Sequence, residues 1–177
     1  MRARFIPFAL LTASLACAAG SSGNHATLVS IVSAQKDIDG KLAHLWPDEP
    51  MFVLGPARGV FLKEYGAVFT AEIYLAPAPV SVVIPNPTKD MIASYHRKKL
   101  ERLPQLEQAM RDLLAQTASS LNNLGDSDHV VLAVDLPTYA WEETDGVPAE
   151  IVMKASKSAL AAASKDQLAS VIQTEEY

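Results

Sequence analysis

The chain has 177 residues, with 15 Lys and Arg against 20 Asp and Glu, and a net charge of −5. That balance excludes a general nucleic-acid binder, which needs a concentrated basic surface to displace counterions from phosphates. Cys17 is the only cysteine, so no internal disulfide can form and the fold must rest on apolar packing, for which this length suffices in one domain.

Met1-Arg2-Ala3-Arg4 is a short cationic start, followed by an apolar run from Phe5 to Ala16. The run falls short of the roughly twenty residues of a membrane-spanning helix. Small residues follow at Ala16-Cys17-Ala18-Ala19-Gly20. This order is expected of a secretory signal peptide over residues 1–19. A linker over 20–27 and a single domain over 28–177 are expected after it. The expected location is outside the cytoplasm of a bacterium, periplasmic or secreted. Loss of the leader removes Arg2 and Arg4 and takes the net charge from −5 to −7. Two readings of the processing site stand. Ala16-Cys17-Ala18 fits the small-x-small pattern of a released protein. Cys17 also sits where a bacterial lipoprotein carries its acyl chains, although Leu15 stands two residues ahead of it rather than three. Beyond the leader no apolar run approaches spanning length, so no transmembrane helix is expected in the mature chain.

Leu28, Ile31, Val32, Ile38, Leu42 and Leu45 recur at helical spacing, and Pro47 stops the run. The style then changes. Met51 to Leu54, 59–63 and 67–76 are rich in Val, Phe, Ile and Tyr and punctuated by Gly and Pro, which predicts strands, the last two antiparallel about a bend at Gly66. In the longer one Val68, Thr70, Glu72 and Tyr74 face one way. Phe69, Ala71, Ile73 and Leu75 face the other and, being uniformly apolar, should meet the core. Pro77, Pro79, Pro85 and Pro87 predict an extended crossing segment.

Thr88 is placed to cap a long helix. Its apolar stripe reads Leu103, Leu106, Met110, Leu113, Leu114, Leu121 and Leu124, ending before Gly125. Pro104 predicts a kink or break within it. His96-Arg97-Lys98-Lys99 and Arg102 read as its wet face, a basic cluster that could meet an acidic partner or anionic headgroups. Val130 to Val134, with Leu136, reads as a strand covered on both faces. Glu150 to Ala155 should pair with it in a hairpin, across an acidic turn from Trp141 to Gly146. Ser164 and Gln167 form a capping box for a last helix with Leu168, Val171 and Ile172 on its apolar side. The expected class is α+β: a mostly antiparallel sheet of two ββ units, a long helix between them, a C-terminal helix and an N-terminal helix before them.

Several residue sets bear on chemistry. Ser33-x-x-Lys36 and Ser120-x-Asn122 match two patterns of penicillin-binding proteins, but no K-T-G or K-S-G follows, and a solvated helix face accounts for the first. Asp126, Asp128 and His129 offer a partial metal site, short of the three or four converging ligands that zinc wants. Glu142 and Glu143, with Trp141 and Tyr139, could act as an acid–base pair or sit on an exposed hairpin tip. Asp135 stands in an apolar strand near its end. None of these sets makes a convergent catalytic constellation. No cofactor motif is present; Gly55 and Gly59 lack phosphate-loop spacing.

Gly59 to Leu75 reads G-V-F-L-x-x-Y-G-A-V-F-x-x-E-I-x-L, followed later by V-V-L-A-V-x-L and E-I-V-M-K. This pattern resembles a group of uncharacterised exported bacterial proteins over roughly residues 50–175, and the resemblance implies no activity. The expected function is therefore a non-enzymatic binding module of the cell envelope, acting on an envelope protein or small ligand through the sheet side carrying Val68, Thr70 and Tyr74. The alternatives are a small envelope hydrolase using Asp135, His129, Glu142 and Glu143, and an assembly factor anchored through Cys17.

Overall fold

The computed structural model of the chain describes residues 22–49, 52–79 and 86–177. The leader with Cys17, and part of the Pro77 to Pro87 segment, lie outside them. In order come α1 (Ser22–Ala43), β1 (Phe52–Val53), β2 (Arg58–Leu62), β3 (Gly66–Tyr74), α2 (Lys89–Ser120), β4 (His129–Asp135), β5 (Glu150–Ser156), α3 (Lys157–Ala162), a 3₁₀ turn (Lys165–Gln167) leading into α4 (Leu168–Val171), and β6 (Gln173–Glu176).

The architecture is α+β. β1 and β2 both pair antiparallel with β3, one beyond the other along the same strand, and the remaining order is β3-β4-β5-β6. β4–β5 and β5–β6 are antiparallel, whereas β3 and β4 run parallel. α2 supplies the long crossover that a parallel pair requires. The two ββ units thus meet through their parallel strands, on either side of the long helix.

β3 alternates as its sequence predicts. Ala67, Phe69, Ala71 and Ile73 are buried, while Val68 and Tyr74 are half-buried and Thr70 and Glu72 exposed. Val130, Leu132 and Val134 of β4 and Ile151, Met153 and Ala155 of β5 continue the buried side. Ile31, Ile38 and Leu42 of α1 and Leu106, Met110, Leu113 and Leu114 of α2 join the same hydrophobic cluster. α1 comes close because Gly59 has no side chain: a Cβ there would lie 2.6 Å from the Phe69 ring and 2.9 Å from Ile31 Cγ2.

Several local expectations need correction. α1 begins at Ser22, inside the stretch read as linker, because polar residues can occupy a first turn. The β2–β3 turn is made by Lys63, Glu64 and Tyr65, with Glu64 at φ 67°. Gly66 instead opens β3, where φ is 132° and a Cβ would fall 1.9 Å from the His129 carbonyl oxygen. α2 runs through Pro104 unbroken; Leu100, whose carbonyl loses its usual donor there, is 40 % exposed. α2 stops at Ser120, and Lys157 Nζ donates to the carbonyls of Leu121 and Leu124 just beyond. β4, by contrast, is buried on both faces as its sequence predicts: Val130, Leu132 and Val134 join the core, and Val131 and Ala133 on the other side are buried too. The last helix shrinks to a short turn, because Ile172 leaves it for extended backbone and the chain adds β6 at the sheet edge.

Candidate functional site

The helices pack against one side of the sheet, and among the described residues none lies on the other. Register places the residues of that open side. Val68 lies beside Val131, Thr70 beside Ala133 and Glu72 beside Asp135, and on the next strand Lys154, Val152 and Glu150 continue these three rows. On the outer side Arg58 is opposite Thr70 and Val60 opposite Val68. Val68, Thr70 and Tyr74, singled out from alternation alone, therefore share this open side. Glu72, Asp135 and Glu150 form one acidic row across three strands. Like charges directly opposite one another cost stability in a sheet, so this row is not there for packing.

A recess of about 170 Å³ opens where β1 passes into β2, lined by Leu54, Gly55, Arg58, Thr70, Glu72 and Asp135 among others. Small-molecule sites usually enclose about 300–1,000 Å³. This hollow is the size of a single side chain, with one cation and two carboxylates around it. Arg58 and Glu72 were not picked out as site residues; the alternation that selected Thr70 also covers Glu72, and Arg58 becomes visible only through strand register.

Tyr74 anchors the end of this face. Its ring stacks on Tyr139 at 4.8 Å between centroids, Tyr139 stacks on Trp141 at 5.3 Å, and Tyr95 of α2 meets Trp141 edge-on at 5.2 Å. The ladder ties the open face to α2 through the 137–146 loop. Burial, then the neighbouring Glu142 charge, pushes the Tyr95 phenol far above its ordinary pKa, and its hydroxyl donates to the Ala76 carbonyl. Burial also raises Tyr139.

Beneath the ladder lies an ion pair. Lys99 Nζ donates to Glu142 Oε2 at 2.6 Å, and both side chains are sealed from solvent, at 1 % and 0 % exposure. The other carboxylate oxygen accepts from the Tyr139 backbone N–H. Arg102, also buried, donates to the Leu75 carbonyl and to Glu49, and lies over the Trp46 ring. The hydrogen bond from Lys98, with the Lys98 and Arg102 charges added, outweighs desolvation and holds the Glu49 carboxyl below its usual value. The reading of Lys99 and Arg102 as a wet face is therefore corrected, as is the reading of Glu142 as an exposed tip.

The remaining candidates do not converge. His129 and Asp135 open and close β4, six residues or about 20 Å apart. Glu142 is committed to Lys99. Glu143 is exposed, and its carbonyl bonds the His96 ring. His129 stacks on Tyr65. Asp128 accepts from the Gly125 N–H, and the Asp126 and Asp128 carbonyls accept from Ser158 and Lys157. These two acids thus shape the turn before β4. Among the described residues no group of three His, Cys, Asp or Glu is placed to hold a metal ion. Ser33 faces solvent on α1, and Ser120 donates to the Thr117 carbonyl at the end of α2. Among the described residues no helix is long and apolar enough to cross a membrane.

No family model matches the chain, and no curated protein and no solved structure is similar to it.

Proposed function

We propose that the chain is a non-enzymatic binding module of the bacterial cell envelope, which engages a partner protein through the open side of its sheet. The observation that carries this reading is the pairing of a strand surface on which Thr70 is exposed and Val68 and Tyr74 are half-buried with a side-chain-sized recess beside Thr70. Glu72 and Asp135 at the recess favour a partner that inserts a basic side chain, and the stacked Tyr74 supplies a rigid aromatic edge. The order of Arg2 through Ala19 supports export of the chain and removal of the leader. Release after Ala18 and acylation at Cys17 remain alternative fates of the same leader.

The experiment is affinity capture from an envelope extract with the wild-type chain and with V68A/T70A and D135N, each checked for an unchanged thermal melt. Loss of the captured partner with both variants is expected. Undiminished capture by both would remove the surface. Mass spectrometry of the N-terminus of the processed protein is expected to find neither Met1 nor the leader. An intact Met1 would end the envelope assignment. The hydrolase alternative gains nothing from the geometry, since His129 and Asp135 lie at opposite ends of β4 and Glu142 is paired with Lys99.

A further inference from the structure

A second surface, on the outer edge of the sheet, points to another kind of contact. β2 pairs with β3 on one side, and among the described residues no strand pairs with its other side. Its backbone there presents free donors and acceptors, which template the addition of a further strand. Edges of this kind are commonly blunted by charge or proline, yet β2 carries Val60, Phe61 and Leu62, 53 %, 40 % and 46 % exposed. Directly above it, α1 leaves Leu28, Val29 and Val32 at 64 %, 58 % and 49 %. The two sets adjoin, because Ile31 presses on Gly59 in the middle of β2.

We propose that this edge is a homodimer interface, in which β2 of one copy pairs antiparallel with β2 of a second about a two-fold axis at Val60. The arrangement is self-complementary. An antiparallel strand pair has two-fold symmetry, as an isologous dimer requires. With Val60 facing its counterpart, Phe61 of each copy lies opposite Gly59 of the other, on the helix side of the sheet. An aromatic ring laid across an edge glycine is a favourable cross-strand pair. The two α1 helices then flank the axis and close Leu28, Val29 and Val32 against one another.

Area is consistent with a second copy. The six side chains expose roughly 500 Å² of apolar surface, and interfaces are a little over half apolar, so the patch corresponds to roughly 900 Å² a side against about 800 Å² for a standard interface. The two-layered shape decides among occupants. A lone peptide strand would satisfy β2 but leave the α1 side chains uncovered, because a helix layer stands about 10 Å above the sheet. A lipid surface would cover the apolar residues but leave the strand's backbone groups without partners. A second copy brings both a strand and a helix. β2 borders the open sheet face, since Val60 lies opposite Val68 and Leu62 shares that side, so the variants tell the two readings apart: V68A/T70A and D135N leave the strand edge intact, and V60C reports the strand pairing alone.

The test is sedimentation equilibrium of the protein as the cell processes it, over about 1–100 µM, beside V60K/L62K. The wild type is expected to reach twice the mass of the variant, with far-UV circular dichroism and melting curves of the two superimposable at low concentration. A wild type that stays monomeric throughout, or a variant that still dimerises, would overturn the proposal. Should V60K/L62K fail to fold, V60C decides instead. Facing Cβ atoms on paired strands lie about 4.5–5.5 Å apart, near disulfide reach, so mild oxidation should link V60C into dimers and leave T70C unlinked. Equal linkage of the two would overturn the proposal.

Discussion

α1 carries Leu28, Val29 and Val32 on its outward side, whereas α2 carries Lys99 and Arg102 on its inward side. The two helices flank the same core and depart from the usual division of polarity in opposite directions. In α2 each buried charge has a partner: Lys99 has Glu142, and Arg102 has Glu49 and the Leu75 carbonyl. In α1 the exposed apolar side chains have none within the described chain. The contrast separates two causes of an inverted residue. Charge turned inward onto a partner ties distant segments to α2: Lys99 holds the 137–146 loop through Glu142, and Arg102 holds Glu49. Apolar surface turned outward beside an open strand edge awaits another molecule.

The sharpest way to break the α2 side of this contrast is K99M. Removing one member of a sealed ion pair leaves Glu142 charged and unmatched, which costs about 3–5 kcal/mol. Urea unfolding should show the midpoint fall accordingly. K99M/E142L, which removes both charges, should recover most of the loss, and failure to recover would show that the pair does more than neutralise itself. R102M comes next. Glu49 is 41 % exposed and can turn to water, so the cost is mainly that of the orphaned Leu75 carbonyl, about 1–3 kcal/mol by the same measurement.

Alkaline pH probes the ladder above the pair. Tyr95 and Tyr139 ionise only above the ordinary phenol value of 10.0 while folded. Their contribution to stability is complete below that value and is lost as pH rises from it towards the folded values. Absorbance at the phenolate band should therefore show a lagging group of tyrosines released together with unfolding, and a single smooth titration near 10.0 would contradict the packing of the ladder. The smallest effect belongs to α1. L28S/V32S should change the unfolding free energy of dilute protein by no more than about 0.5 kcal/mol. A larger loss would mean that these side chains already have an intramolecular cover.

The alternation of β3 and the spacing of the α2 leucines were legible because a half-buried strand and an amphipathic helix write their periods directly into the sequence. The β4–β5 hairpin was legible for a similar reason, as two apolar runs separated by a polar turn. What misled were residues whose type disagrees with their place. The α2 stripe, followed backwards from Leu106 by steps of four and three, passes through Arg102, Lys99 and Tyr95. The period therefore carried the burial of both cations, and their charge concealed it. Nothing local to Glu142 announces its burial, because its partner is forty-three positions away. β6 was missed because Gln173 to Glu176 is polar, as an edge strand can be when one side of it faces water. On the candidate site, alternation placed Val68, Thr70 and Tyr74 together, while Arg58 and the Glu72–Asp135–Glu150 row depend on strand register, which no single segment encodes.

The parallel join between β3 and β4 has a kinetic side. Gly66 meets His129 only after some sixty residues of intervening chain have been gathered in, and closing so long a loop slows the search. The β2–β3 hairpin, by contrast, closes locally around Glu64. A newly emerging chain would thus hold a greasy ribbon with both margins bare until β4 arrives to seal one of them, and crowding at that moment is when mispairing would be most frequent.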